Sequence, residues 1–509
     1  MSTPDLGPSV HAHTSAAPSA LTDGRLGVGP SPTLVTHVNA VELSDELDGI
    51  VDYVHMDIAH ALMLTQRGIF EPARGRALVE ALLSLLDGDT EQLLAPDPRV
   101  GTLGLQIERY LEGALGEAGL DIQRGRSRID QKATGWRMTN RAAILDVMSA
   151  LERLASSILS VAARHDGVLI PGYTHLQHSQ PTTLDHYLNA HYWAVSRNLE
   201  RLVEVAARLN LSPLGGAAYS GTSWDIDRDT TAAYLGFDRP IVNARDAGMA
   251  SIDLGAELTS VLGLTLSSVS RLASDLNYWA SSEVGLVQID ASLCGTSSMM
   301  PQKRNPMVLE RIRGLAGSAA GWSASQLGVM HTSTSTDVDQ AYVHNVIPGY
   351  CAETAGVIDL LRETLETVEV DRDGMRASAR KHWSTASALA DRLVDDHGLS
   401  FRHAHDAVAR FIAAHIDAEV PDGEVRTALA DGALAEYSTE QLLEILDPES
   451  FVASRTSAGG TSVANRLLLA AEADDDLERH RERISALRTV VQTGKHRLLS
   501  DARALIGSP

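Results

Sequence analysis

Apolar residues recur every three or four positions over long stretches of this chain, the spacing that places them on one face of an α-helix. Between Met138 and Val161 the residues Ile144, Val147, Met148, Leu151, Leu154, Ile158 and Val161 keep that spacing and predict one long amphipathic helix. Leu258, Val261, Leu262, Thr265, Val269, Leu272 and Leu276 predict a second, and Val357, Leu360, Leu361, Leu365 and Val368 a third; proline interrupts none of them. Long helices with short links predict a bundle. Alternating β-branched segments between tight turns are sparse, so any sheet should be minor. No internal repeat stands out, which speaks against a solenoid.

The pattern also divides the chain. Residues 1–35 scatter Pro4, Pro8, Pro18, Pro30 and Pro32 among Ser, Thr, Gly and Ala, and predict a flexible tail that cannot bury enough apolar area to offset its ordering entropy. His11 and His13 within it read as metal ligands or as solvated tail, and they lack the carboxylate or Cys companion that a metal site wants. An N-terminal helical domain is expected over residues 36–118, a central helix-bundle domain over 119–373, and a small helical domain over 374–509. The last has shorter periodic segments at 386–396, 401–415 and 440–446, then a charged final helix from 463 to about 499.

Composition narrows the class. Of 509 residues, 44% are hydrophobic but only 4% aromatic, so the core is built from Leu, Val, Ile and Ala, which favours helix on helix. Lys and Arg number 43 against 66 Asp and Glu, and the net charge of −23 argues against a nucleic-acid partner. The two cysteines, Cys294 and Cys351, form neither a disulfide framework nor a metal-spaced cluster, which fits a reducing cytoplasm. The N-terminal residues place Asp5 before any cation and lack a continuous apolar stretch, so no secretory signal is read there. The weakly charged stretch 314–336 is too rich in Gly, Ser and Thr for lipid, and no membrane span is expected.

Three polar clusters interrupt the apolar pattern. The first, QRGRSRIDQ at 123–131, places three arginines and a glycine before a helical run, a composition suited to gripping a carboxylate at a helix N-terminus or, alternatively, to a solvated basic loop. The second, PGYTHLQHSQP at 171–181, sets Thr174, His175, Gln177 and His178 between two prolines; a histidine there could move protons near neutral pH or be structural. The third, GTSSMMPQKRNP at 295–306, holds two serines, Lys303 and Asn305 in a loop with almost no apolar periodicity. Neither a Walker-type phosphate loop nor a GxSxG elbow occurs. What remains is acid–base chemistry on an anion, with no cofactor implied.

Taken together the clusters resemble the fumarase, aspartase and argininosuccinate lyase superfamily, and within it the argininosuccinate lyase branch. SSMMPQKRNP at 297–306 fits the superfamily signature GSSxMPxKxNP, with Thr296 as a departure; the other clusters are similar to HTGRSRNDQ and PGYTHLQxAQP. Further likeness lies in DIAHALMLTQRGI, in LSPLGGAAYSGTSWDIDRDTTAAYLGF (211–237) and in ERIRG, so that it covers nearly everything from about residue 38 onward. The resemblance implies an all-α, three-domain subunit with a signature loop at 292–306, whose long central helices form a homotetramer core, with each active site drawn from three subunits. It implies β-elimination from a small dicarboxylate, releasing fumarate: a carbon–nitrogen lyase of the amidine-lyase kind. By the same likeness Ser297 is the base, and His175, oriented by Glu310, protonates the leaving nitrogen. Lys303 and Asn305 bind the carboxylate on which charge develops. Arg128, Ser127 and Thr174 hold substrate, with Gln177 a binding or structural group. Asp130 reads as an orienting partner for arginines or as a helix cap.

Several positions depart from the branch. Its Thr and Asn in HTGRSRND become Arg124 and Ile129, its EDVH becomes GTLG at 101–104, and Asp57 stands where a serine precedes IAHA. The Tyr, Gln and Lys that follow the signature fall on His331, Thr336 and Asp339, and the acidic SDRD is replaced at 249–252. These departures point to an N-substituted aspartate or substituted succinate other than argininosuccinate, in specialised metabolism. The alternatives are a true argininosuccinate lyase of arginine biosynthesis, elimination of nitrite or ammonia, and a non-catalytic structural homologue.

Overall fold

The predicted long helices form, and the first is much longer than its apolar stripe. In the computed structural model, which describes residues 29–249, 252–331, 338, 345–414 and 432–507, the bundle helices are Arg128–Arg164, Leu184–Leu209, Ile252–Trp279 and Ile347–Thr367. They share one core that includes Leu151, Leu154, Ile158, Tyr192, Leu199, Leu262, Leu266, Ile358 and Leu361. Each fully buried side chain of this kind contributes about 1.5–3 kcal/mol. The chain is all-α: among the described residues the strands are two residues long and lie in isolated pairs.

The first bundle helix starts ten residues before its apolar stripe because its opening turns bury polar groups that satisfy other elements. The Arg137 guanidinium donates to the carbonyls of Arg208 and Leu209 at 3.0 and 2.9 Å, closing the C-terminal end of the second helix. Arg141 donates to Asn210 Oδ1 at 2.7 Å and to the carbonyls of Leu235 and Gly236 at 2.8 and 2.9 Å.

A second core joins helices Ile50–Gln66, Pro72–Asp87 and Leu103–Leu115 through Val54, Ile58, Leu62, Leu78, Leu82, Ile107 and Leu111. A third, around Trp383, Leu389, Leu393, Phe411 and Leu442, gathers helices Ala386–His397, Phe401–Ala414 and Thr439–Ile445. The last helix, Val463–Gly507, extends past its expected end and leaves that third core. It buries Ala473, Leu477 and Ile484 in the bundle, then Leu498 and Ala502 in the second core. Tyr192 and Ser196 hydroxyls fix it by donating to Asp476 at 2.9 and 2.6 Å.

The expected tail falls mostly on residues outside those described; Pro32–Leu34 already form a helical turn capped by Ser31. The third bundle helix is long and apolar enough to cross a membrane by length and composition, but its Leu258, Leu262, Leu266 and Leu272 are buried in the bundle. Cys294 and Cys351 are free thiols, and burial pushes Cys351 up to about 12. Among the described residues no group of His, Cys, Asp and Glu could hold a metal ion.

Candidate active site

The first polar cluster is the N-terminus of the first bundle helix. Gly125 turns the chain at φ 77°, Ser127 is the N-cap, and its Oγ accepts the Ile129 amide at 3.4 Å while Asp130 Oδ1 accepts the Ser127 amide at 2.8 Å, a reciprocal cap. Arg128 is the first helical residue and is exposed, so a guanidinium and a helix N-terminus face solvent together.

The three arginines have three different fates. Arg124 lies half-buried over the rings of Phe70 and Trp224, at 5.5 and 5.3 Å, and is tied to Asp121 at 2.9 Å. Arg126 is turned into the protein, its side chain fully buried, and pairs with buried Asp57 at 2.6 Å. Burial raises the Asp57 pKa and Arg126 pulls it back. Beside them, burial and then the Arg126 charge hold His60 well below its ordinary pKa, so it is neutral when Nε2 meets the Arg124 carbonyl at 2.8 Å. Only Arg128 is left to grip an anion. Asp57 therefore faces Arg126, within an inner polar knot that the sequence reading missed. Its signal was two polar residues, Asp57 and His60, one turn apart in a helix buried throughout from Tyr53 to Leu64.

Asp130 does not orient arginines. Besides the Ser127 amide, its Oδ2 accepts the amides of Gly215 and Ala217, both at 2.9 Å, binding the helix start to the 213–221 loop. That loop carries Gly215, Ala217, Tyr219 and Gly221 at positive φ, two of them non-glycine residues in a conformation that costs energy without outside support. Ile129 packs its side chain against Gly248, which also receives the Tyr219 ring.

The second cluster is a hairpin between the first two bundle helices. Tyr173 pairs with His178 and Thr174 with Gln177, and His175 and Leu176 make the turn at φ 56° and 59°. Thr174, His175 and Gln177 are exposed. The arms close so tightly that a Cβ on Gly172 would lie 2.2 Å from the Gln180 carbonyl oxygen, which demands glycine there.

The third cluster is a loop closed by pairing of Gly295 with Asn305 and Thr296 with Arg304. At its tip the amides of Met299 and Met300 donate to Ser297 Oγ at 3.3 and 3.0 Å, dipoles that favour an ionised hydroxyl. Lys303 is exposed and lines a cavity of about 830 Å³ with Arg304, Gln288 and Asp371. Glu310 lies exposed in the first turn of helix Met307–Ala319. His331 is exposed; Thr336 and Asp339 lie outside the described residues.

One chain does not unite these groups. At 1.5 Å per residue the 37 residues of Arg128–Arg164 span about 55 Å, with Ser127 and Arg128 at one end and the hairpin just past the other. The signature loop belongs to the hairpin's end, because Tyr278, near the end of the third bundle helix, packs edge-on to Tyr173 with ring centroids 5.5 Å apart. Among the described residues no hydrogen bond or ion pair joins one cluster to another, and the cavity beside Lys303 takes no wall from the other two.

Comparison with known proteins places the chain. A lyase family model matches residues 97–321, and an argininosuccinate lyase C-terminal model matches 383–453. Argininosuccinate lyase of Methanoculleus marisnigri is 39% identical over 413 residues, 80% of this chain and 83% of that protein. Argininosuccinate lyase of Methanospirillum hungatei is 34% identical, over 89% of this chain and 92% of its own length. Among solved structures, EDDS lyase in complex with formate superposes with a TM-score of 0.80 at 28% identity, covering 96% of this chain and 99% of that one. With its signature loop, its capped arginine helix and this breadth of similarity, the chain belongs to the argininosuccinate lyase family of the fumarase/aspartase superfamily and is a carbon–nitrogen lyase.

Proposed function

We propose that the protein releases fumarate by β-elimination from an N-substituted aspartate or substituted succinate other than argininosuccinate. In this reading Ser297 Oγ removes the proton on the carbon next to a carboxylate, helped by the two amides that point at it. The C–H electron pair passes to the carboxylate as an aci-carboxylate, held by Lys303 and Asn305. It then returns to form the C=C bond as the C–N bond breaks, and His175, with Glu310, gives the leaving nitrogen its proton. Arg128, Ser127 and Thr174 bind the diacid, with Gln177 beside them. Because these groups sit at opposite ends of a 37-residue helix, the working site combines ends from different subunits of a homotetramer.

The observation that carries the specificity reading is the altered lining at a retained anion grip: Ile129 is apolar beside Arg128, and Asp57 is committed to Arg126. A substrate carboxylate or ammonium that lost its partner there would bind less well by several kcal/mol. The 28% identity to EDDS lyase over nearly the whole chain supports a non-argininosuccinate substrate, and the 39% identity to an argininosuccinate lyase supports the second reading, a true argininosuccinate lyase. The test is fumarate absorbance during incubation with argininosuccinate and a panel of N-succinyl amines and substituted succinates. Turnover of a panel member well above argininosuccinate is expected; turnover of argininosuccinate alone overturns the specificity reading. Silence across all compounds overturns the reaction.

A further inference from the structure

The 173–178 hairpin cannot hold its own shape. Two residues per strand are far too few for an independent ribbon, and its tight turn places His175 and Leu176, neither of them Gly or Asn, at φ 56° and 59°. Leu176 is 64% exposed, so burial does not offset that cost. The support comes from one segment, 378–387, which leads into helix Ala386–His397. Ser378 hydrogen-bonds the Tyr173 hydroxyl, and His178 hydrogen-bonds the backbone of Lys381. The His178 ring stands edge-on to His382 with centroids 4.6 Å apart, and edge-on to its cross-strand neighbour Tyr173 at 5.1 Å. Gln180 Nε2 donates to Ser387 Oγ at 3.0 Å.

The supporting segment is itself strained. His382 and Trp383 lie at φ 58° and 54°, consecutive non-glycine residues in the left-handed region, at a cost of about 1–2 kcal/mol each. Trp383 is buried in the third core and packs edge-on to Phe411 at 5.4 Å, so burial of the indole fixes the corner and the corner presents His382 to the hairpin.

We propose that His178 and His382 are positioning residues of the elimination: the strained 382–383 corner carries the packing of the 383–446 core to the hairpin and so fixes where His175 and Thr174 stand. This inference rests on the reading of His175 and Thr174 as substrate-facing groups, and it adds a mechanical role for the third core.

The test uses the full-length protein with His178→Ala, His178→Phe and His382→Gly. Glycine relieves the backbone strain at 382 while deleting the ring, so a purely structural residue and a positioning residue respond differently. Two readouts are taken: amide hydrogen exchange of the 171–183 peptide, and fumarate release from whichever panel compound the wild type turns over fastest. His178→Ala and His382→Gly are expected to raise exchange in that peptide at least fivefold and to lower kcat at least tenfold. The thermal midpoint of His382→Gly should be unchanged or higher, and His178→Phe should recover most of the kcat. Unchanged exchange overturns the proposal, as does faster exchange with unchanged kcat or a kcat loss that follows a falling midpoint in His382→Gly. A wild type that releases no fumarate overturns the assigned reaction, and the exchange result still decides the anchoring.

Discussion

Asp130 shows how much one side chain can do when both its oxygens are used. Burial raises its pKa, the three amides it accepts oppose that, and the carboxylate joins the helix that presents Arg128 to a loop with four left-handed residues. In Asp130→Asn one oxygen remains and the amide NH2 group faces backbone N–H groups, so at least one buried donor is orphaned at about 1–3 kcal/mol. We expect a loss of about 2 kcal/mol in urea unfolding, with the same variant weakened in fumarate binding by calorimetry. Retention of both would show that the loop stands without it. The sequence made Asp130 visible as a cap, since Ser127 precedes it by three positions. Its hold on Gly215 and Ala217 was not legible, because nothing local marks two amides that fold back from the far end of the second helix. Asp57 was likewise noticed as a departure, but its commitment to Arg126 is a tertiary fact.

Among elements, periodicity found the apolar parts of the bundle helices and missed their polar ends. The stripe from Ile144 to Val161 was plain, yet Arg137 and Arg141 are as buried as any leucine there, and their charge hides them from a hydrophobic pattern. The last helix was legible as a helix but not in its destination, since its burial is spread thinly over Ala473, Leu477, Ile484, Leu498 and Ala502. Its seat is close. A Cβ on Gly494 would come 2.7 Å from the Ala233 carbonyl oxygen and 2.7 Å from the Gly236 nitrogen, both rigid backbone. Gly494→Ala should therefore lower the thermal midpoint sharply. Gly113→Ala, in helix Leu103–Leu115 with open space around it, should be neutral or stabilise by up to about 1 kcal/mol. Equal midpoints for the two variants would refute this account of the seat.

For the whole molecule, two further outcomes follow. Several histidines are buried; burial, then Lys495, holds His55 at about 4 where the unfolded value is 6.5. The unfolded chain thus binds more protons than the folded one between those values, and stability falls as pH drops from about 6.5 toward 4. Between pH 7 and pH 5 this one group costs about 2 kcal/mol, so His55→Gln should lose less stability over that interval than wild type by about that amount. Parallel pH profiles would contradict the burial of a neutral imidazole. The second outcome concerns geometry. Since Arg128 and Ser297 lie at opposite ends of the bundle, Arg128→Ala and Ser297→Ala subunits mixed, unfolded and reassembled should regain measurable fumarate release that neither variant has alone. Failure to regain any, with mixed tetramers verified by mass spectrometry, would place both residues in one subunit's site. The way the last helix closes two cores has a bearing on biosynthesis. A growing polypeptide of this design has neither its bundle nor its N-terminal unit complete until segment 463–507 has left the ribosome, so its commitment to the native state comes after translation, and the half-made chain needs protection from aggregation while it waits.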